Sequence, residues 1–236
     1  MHVHLPKPLH GWRAFVGEIG IIVLGVLIAL GAEQLVEKLQ WKRVLGDYRA
    51  ALHEEIAHNI ATYSYRMQQD RCADGRIGEL QRWVDSWRSG HPLTIHGKIG
   101  VPQSLMVFDG VWGSRSEEIA SHMPLAEQLA YSKLYDRFSA NEGHRLAERS
   151  VWLALNSYEG ATGLTHDDLI RLQGLINEAR YRQQSFDVNA IRYTDQAADL
   201  NIKGEPDPGW PKVTNALSKP IIDEAGRAPA AARLHS

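Results

Sequence analysis

Apolar residues are unevenly distributed along the chain, and an unbroken apolar run lies near the N-terminus. Residues 14–32 read AFVGEIGIIVLGVLIALGA, in which Glu18 is the one charged side chain. A helix of this length rises about 28 Å, close to the hydrocarbon thickness of a bilayer. The pattern therefore predicts a transmembrane helix over residues 14–32. A buried core helix and a cleaved signal peptide, with small residues around Ala29-Leu30-Gly31, are the alternatives.

The flanks of this run indicate how it would lie in a membrane. Residues 1–13 form a short basic tail, and Trp12 stands where an indole favours the membrane interface. The short tail favours a cytoplasmic N-terminus, which would place the C-terminal domain outside the cytoplasm. The bias is small, because basic residues occur on both sides of the run: Lys7, Arg13, Lys38, Lys42 and Arg43.

One face of the predicted span carries small residues and a carboxyl group. Glu18, Gly25, Ala29 and Ala32 follow one another at helical spacing. Small residues let two membrane helices approach closely, and a carboxyl group inside the bilayer can hydrogen-bond to a neighbouring helix. We expect this face to associate with a second copy of the chain or with another membrane protein.

The span also resembles a known type of bacterial anchor. Residues 17–30 read GEIGIIVLGVLIAL, which is similar to the G-E-x-x-I-x-x-x-G-[VI]-[LI]-I-A-L span of a bacterial family of single-span membrane proteins with a domain of unknown function. The resemblance covers roughly residues 7–45. It implies a location in the bacterial inner membrane and a helical remainder, and it supplies no catalytic residue.

Beyond the span the pattern becomes amphipathic and helical, which predicts an all-α domain over residues 33–203. The first apolar stripe predicts that the membrane helix continues to about Arg71, with Gly46 as its weakest point. A loop is expected at 90–104 and shorter elements at 105–112 and 114–122. The stripe consists of Leu45, Tyr48, Leu52, Ile56, Ile60 and Tyr63, and a second one of Ile77, Leu80, Val84 and Trp87.

Two long helical stretches end the predicted domain. The first runs from Leu125 to about Glu159, with a break expected at residues 141–143. The second begins at Thr165, an N-cap with Asp168 three residues later. A short turn between two long helices predicts an antiparallel hairpin. Residues 204–236, rich in proline, glycine and alanine, predict an irregular, poorly ordered tail.

The charge, the cysteine count and the absence of known motifs argue against several classes of function. The 236 residues carry a formal net charge of −2, which argues against a nucleic-acid partner. One cysteine excludes an intramolecular disulfide framework and a multi-cysteine zinc or iron–sulfur site. No phosphate-binding glycine loop, dinucleotide fingerprint or nucleophile elbow occurs in the sequence. We therefore expect no cofactor and no enzymatic activity.

The remote exception is a metal site of the di-iron bundle type. Glu55 and His58 form one Glu-x-x-His half-motif, and Glu118 with His122 is one residue too long for a second. Such sites need two half-motifs and two further glutamates, so solvated helix faces are the simpler interpretation.

Three functional hypotheses follow from these observations. The first is a membrane-anchored helical protein that binds proteins or serves as an accessory subunit of an envelope complex. The second is an extracytoplasmic sensory module that signals through a partner. The third is a metal-dependent helical-bundle enzyme built on the two glutamate–histidine pairs.

Overall fold

The computed structural model describes residues 11–213 and 217–222. Its helices are α1 (Gly11–Met67), α2 (Asp70–Arg88), α3 (Gly110–Gly113), α4 (Glu117–His122), α5 (Leu125–Asn156) and α6 (His166–Asp199). The described residues contain no strand, and one isolated antiparallel bridge joins Ile95 to Ile222. The all-α prediction is confirmed. The basic tail predicted for residues 1–13 lies outside the described residues except for residues 11–13.

The predicted helical hairpin forms the framework of the bundle. α5 and α6 share the most extensive helix–helix contact, and α1 and α2 pack against α6 one after the other. Two buried clusters result. The first joins α1 to the start of α5 and the end of α6, through Leu52, Ile56, Ile60, Leu134, Phe138, Ala190 and Tyr193. The second joins α2 to the end of α5 and the start of α6, through Leu80, Trp83, Trp152, Leu155, Leu172 and Ile176.

α1 is one continuous helix that passes through Gly46, and it ends at Met67, four residues before the predicted end. Gln69, two residues after this end, is buried between α1 and α2. Its side-chain amide donates to the Gln103 carbonyl at 2.7 Å and accepts from the Gln103 N–H at 2.8 Å. The chain turns at residues 68–69 so that this amide meets the backbone of the following loop.

A second buried amide holds the same loop further along α1. Asn59 donates to the Phe108 carbonyl at 2.6 Å and accepts from the Phe108 N–H at 2.7 Å. Residues 103–108 therefore lie along α1 with their backbone paired to side-chain amides. Helix in this region is limited to α3 and α4, and α4 begins only after its N-cap, Ser116.

The hairpin helices differ from the sequence prediction in one respect. α5 is unbroken through residues 141–143, because Asn141 is buried on the inner face of the helix and does not end it. α6 begins with the predicted capping box between Thr165 and Asp168. It ends in a Schellman motif, in which Asn201 adopts a φ of 60° and the Ile202 N–H donates to the Ala197 carbonyl at 2.9 Å.

The described part of the tail is irregular, as predicted, but it packs closely against the bundle. Gly204 lies where a Cβ atom would come within 3.0 Å of Ile60, and the Glu205 N–H donates to the Ala57 carbonyl. Arg76, fully buried on α2, donates to the carbonyls of Leu217 and Lys219 at 3.1 and 2.6 Å. Backbone atoms of Glu205, Leu217 and Lys219 thus have partners on α1 and α2.

Candidate functional site

The N-terminal part of α1 meets the criteria for a membrane span by length and composition. Its most apolar eighteen-residue window has a mean hydropathy of 2.4, and none of that window is buried inside the protein. Every described side chain from residue 11 to residue 40 is exposed, and Trp12 is 75% exposed. A core helix would bury one face, so the alternative of a soluble core helix does not fit this segment.

The predicted association face lies on this exposed segment. Glu18, Gly25, Ala29 and Ala32 fall within about 60° of one another around a helix with 3.6 residues per turn. All four are exposed, and no atom lies within 4 Å of the position that a Cβ would take at Gly25. The bundle does not use this face, so it is open to another helix.

Glu55 and His58, the first predicted metal pair, are occupied by separate local contacts. Glu55 accepts from the Tyr135 hydroxyl at 2.6 Å and from the Val111 N–H at 2.9 Å. Burial and this carboxylate raise the pKa of Tyr135, which keeps its hydroxyl a donor. The His58 imidazole instead stacks on Phe108, with ring centroids 4.5 Å apart.

Glu118 and His122, the second predicted pair, lie in α4. His122 stacks on Trp41 of α1, with ring centroids 3.8 Å apart and planes 10° from parallel. Its Nδ1 lies 3.0 Å from the backbone carbonyl of Glu118 and 3.1 Å from the Ser121 hydroxyl. Within residues 11–213 and 217–222, no group of three or more histidine, cysteine or carboxylate side chains is placed to hold a metal. The two pairs thus do not form the four-helix arrangement that a di-iron site needs.

A shallow acidic groove runs beside Glu55 and His58. It has a volume of about 560 Å³ and lies between α1, residues 108–111 and residues 205–208. Its carboxylates are Glu54, Glu55, Glu205 and Asp207, and no lysine or arginine of the described chain lines it. The arrangement would favour a cationic group over an anion.

A buried charge network, which was not predicted from the sequence, lies at the α1–α2 junction. Arg66, fully buried, makes a two-pronged ion pair with Glu148 of α5 and donates to Asp70 at 2.8 Å. Burial raises the pKa of Asp70 and of Asp187 on α6, and each carboxyl group lies against the other. One Asp187 oxygen is buried and accepts no hydrogen bond from the described chain, which further disfavours the charged form of this carboxyl group.

A signal for this network was present in the pattern. Arg66 lies three residues after Tyr63, on the buried stripe of α1, and Glu148 lies seven after the buried Asn141. Charged residues on two apolar stripes should be paired, because an isolated buried charge is costly. Nothing in the sequence says which stripe faces which, so the pairing itself was not predictable.

No protein-family model, curated protein or solved structure matches the chain. The resemblance of residues 17–30 to a bacterial anchor accordingly stays a prediction.

Proposed function

We propose that this chain is a single-pass protein of the bacterial inner membrane, with residues 14–32 as the anchor and the helical bundle as an interaction domain. The observation that carries the proposal is the continuity of α1: its described side chains are exposed from residue 11 to residue 40, and from Leu45 onward one face of the same helix is buried in the bundle. One helix therefore has an exposed apolar part and a second part that packs in the bundle. An exposed apolar surface of this extent needs a lipid or protein cover.

The partner of the anchor is a second copy of the chain or another membrane protein. The face of Glu18, Gly25, Ala29 and Ala32 supports this, because small side chains allow close helix contact and a carboxyl group can hydrogen-bond across it. An accessory subunit of an envelope complex needs such a face together with a folded domain. The proposal assigns no catalytic activity, and it places the bundle outside the cytoplasm.

The anchor is tested by alkaline carbonate extraction of membranes. The wild-type chain should stay in the pellet, whereas Leu24→Arg/Leu27→Arg should leave it, because each arginine at mid-bilayer costs roughly 2.5–3.5 kcal/mol. Leu24→Ala/Leu27→Ala is the matched control and should stay. Release of the wild-type chain would contradict the anchor, and protease protection of the bundle in spheroplasts would contradict its orientation.

The partner is tested by native mass spectrometry of gently extracted full-length protein. Assemblies should appear as integer multiples of 26.5 kDa or with one additional protein mass. Gly25→Leu should dissociate them, because a bulky side chain separates the helices, whereas Val23→Leu on the opposite face should not. A bare monomer in the wild type would contradict the interaction role.

A sensory role is the second candidate, and the acidic groove favours it. Glu54, Glu55 and His58 line that groove and belong to α1 itself, so a cationic ligand there would contact the helix that continues into the anchor. A receptor of this kind would change the state of the span through a partner. Thermal stabilisation by one cation class in a ligand screen, lost in Glu54→Gln/Glu205→Gln, would favour it.

A further inference from the structure

A second groove lies at the end of the bundle that is nearer the anchor. It has a volume of about 500 Å³ and is lined by α1 from Gln34 to Arg49 and by His122 of α4. Trp41 and His122 form its aromatic wall through their stacked rings. Its charged lining residues are Glu37, Lys38, Lys42 and Arg49. The groove thus combines an aromatic surface with a surplus of positive charge.

The two lysines supply that surplus. Arg49 is already bound to Glu127 through two hydrogen bonds of 2.5 and 2.7 Å, so its charge is neutralised locally. Lys38 and Lys42 are both exposed and lie four residues apart, which places them on one face of α1. No carboxylate of the described chain lies within ion-pair distance of either lysine.

The position of the groove along α1 brings it to the membrane surface, on the proposed function that residues 14–32 span the bilayer. Lys38 and Lys42 lie about 9 and 15 Å beyond Ala32 along the helix axis. The headgroup layer extends roughly 5–8 Å beyond the hydrocarbon. Side chains on a helix incline toward its N-terminus, which is the membrane end of α1, so the ammonium groups lean toward the headgroups.

Apolar residues lie beside the two lysines, two of them on the membrane side of Lys38 and one between Lys38 and Lys42. Leu35, Val36 and Leu39 are each more than half exposed and have no partner in the bundle. A phospholipid presents the matching chemistry, with acyl chains and glycerol next to a charged phosphate.

We propose that the groove between α1 and α4 is a binding site for the headgroup of an anionic phospholipid. The phosphate lies between the ammonium groups of Lys38 and Lys42, and the Trp41–His122 stack forms the wall beside it. Bound lipid would fix the bundle against the membrane surface. This assigns a role to the histidine of α4 and to the exposed stretch of α1 between the anchor and the bundle.

The proposal is tested by adding lipid to delipidated full-length protein in a neutral detergent and measuring binding by native mass spectrometry. Phosphatidylglycerol should bind and phosphatidylcholine should not. Lys38→Gln/Lys42→Gln should weaken binding of phosphatidylglycerol by roughly tenfold or more, because each lysine near an anionic lipid contributes several-fold. Lys98→Gln/Lys219→Gln makes the same charge change on exposed loop residues that pack beside α2, and it should have no effect.

A further variant separates a built groove from simple charge attraction. His122→Ala removes the aromatic wall and keeps both lysines, and it should weaken phosphatidylglycerol binding two- to threefold. Unchanged binding in both the lysine and histidine variants would overturn the proposal. Full competition by millimolar inorganic phosphate would also overturn it and assign the groove to a soluble phosphate compound. Because binding is measured in detergent, failure here is distinct from failure of the carbonate extraction, which tests the anchor.

Discussion

The two parts of α1 differ in the relation between apolar content and burial. Residues 11–44 include the most apolar stretch of the chain, and the bundle buries almost none of it. Residues 45–67 contain histidines, glutamates and two arginines, and yet Leu52 and Ile56 have no exposed surface. Total apolar content therefore indicates the surrounding medium, whereas periodic spacing of apolar residues indicates a face that packs on protein.

The comparison implies that, of the two parts of α1, only the second contributes to the free energy of unfolding of the bundle. A leucine in the first part has no bundle contact to lose, although it is as apolar as one in the core. Matched substitutions in the two parts of α1 therefore test whether only the second part contributes to the stability of the bundle.

The largest difference is expected between Leu52→Ala and Leu27→Ala. Leu52 is fully buried in the first cluster, and its truncation should lower the free energy of unfolding by about 3 kcal/mol. Leu27 is 60% exposed on the first part of α1, and its truncation should leave the bundle unchanged. Thermal unfolding of both variants in detergent, followed by circular dichroism, measures the difference. Equal losses would mean that the first part of α1 also packs against protein in the isolated chain.

The charge network at the end of α1 should give the bundle a pH dependence that the first part cannot supply. Burial raises the pKa of Asp70 and Asp187 against the attraction of Arg66, and neighbouring carboxylates add to the rise: Asp187 for Asp70, and Asp74 with Glu148 for Asp187. The folded chain then binds more protons than the unfolded chain. Stability is fully present below the unfolded pKa of about 4 and is lost as the pH rises through the raised values.

We accordingly expect the free energy of unfolding to fall between about pH 4 and pH 7, with a slope of at most about 1.4 kcal/mol per pH unit for one proton. Asp187→Asn should flatten this slope, because the amide donates to Asp70 and removes the like charge. Asp195→Asn, at an exposed position of the same helix, is the control. Parallel slopes for the wild type and Asp187→Asn would show that the pair shares no proton.

How far the sequence predicts the structure depends on the range of the interactions involved. The capping box at Thr165 and the helical hairpin follow from residues close together in the chain, and both are confirmed. The stripe from Leu45 to Tyr63 predicts the correct buried face of α1, because its period depends on that helix alone.

The parts that were missed depend on residues distant in the chain. Arg66 and Glu148 are 82 positions apart, and Arg76 and Lys219 are 143 apart. Asn59 and Gln69 are buried amides whose partners are backbone atoms. Every residue has the same backbone atoms, so the sequence does not indicate which of them an amide will bind. For the same reason the sequence did not predict that Glu55, His58 and His122 would contact Tyr135, Phe108 and Trp41.

The smallest effect is expected at Gly46, just beyond the first buried residue of the stripe. Gly46 is exposed within α1, and no atom lies within 4 Å of the position that a Cβ would take. Gly46→Ala should raise the free energy of unfolding by up to about 1 kcal/mol, because alanine has less backbone entropy to lose on entering a helix. Gly20→Ala makes the same change in the first part of α1 and should leave the unfolding of the bundle unaltered.

The thermal unfolding curves of these two glycine variants locate the boundary of the cooperative bundle. If Gly46→Ala alone is stabilising, residue 46 belongs to the unit that unfolds together with the two buried clusters, although residue 46 itself is exposed. Stabilisation by both would mean that α1 unfolds as one helix over its whole length, and the two parts would then be energetically coupled. No change in either variant would place the boundary after residue 46, so that the bundle would depend on α1 only where it buries Leu52 and the residues that follow.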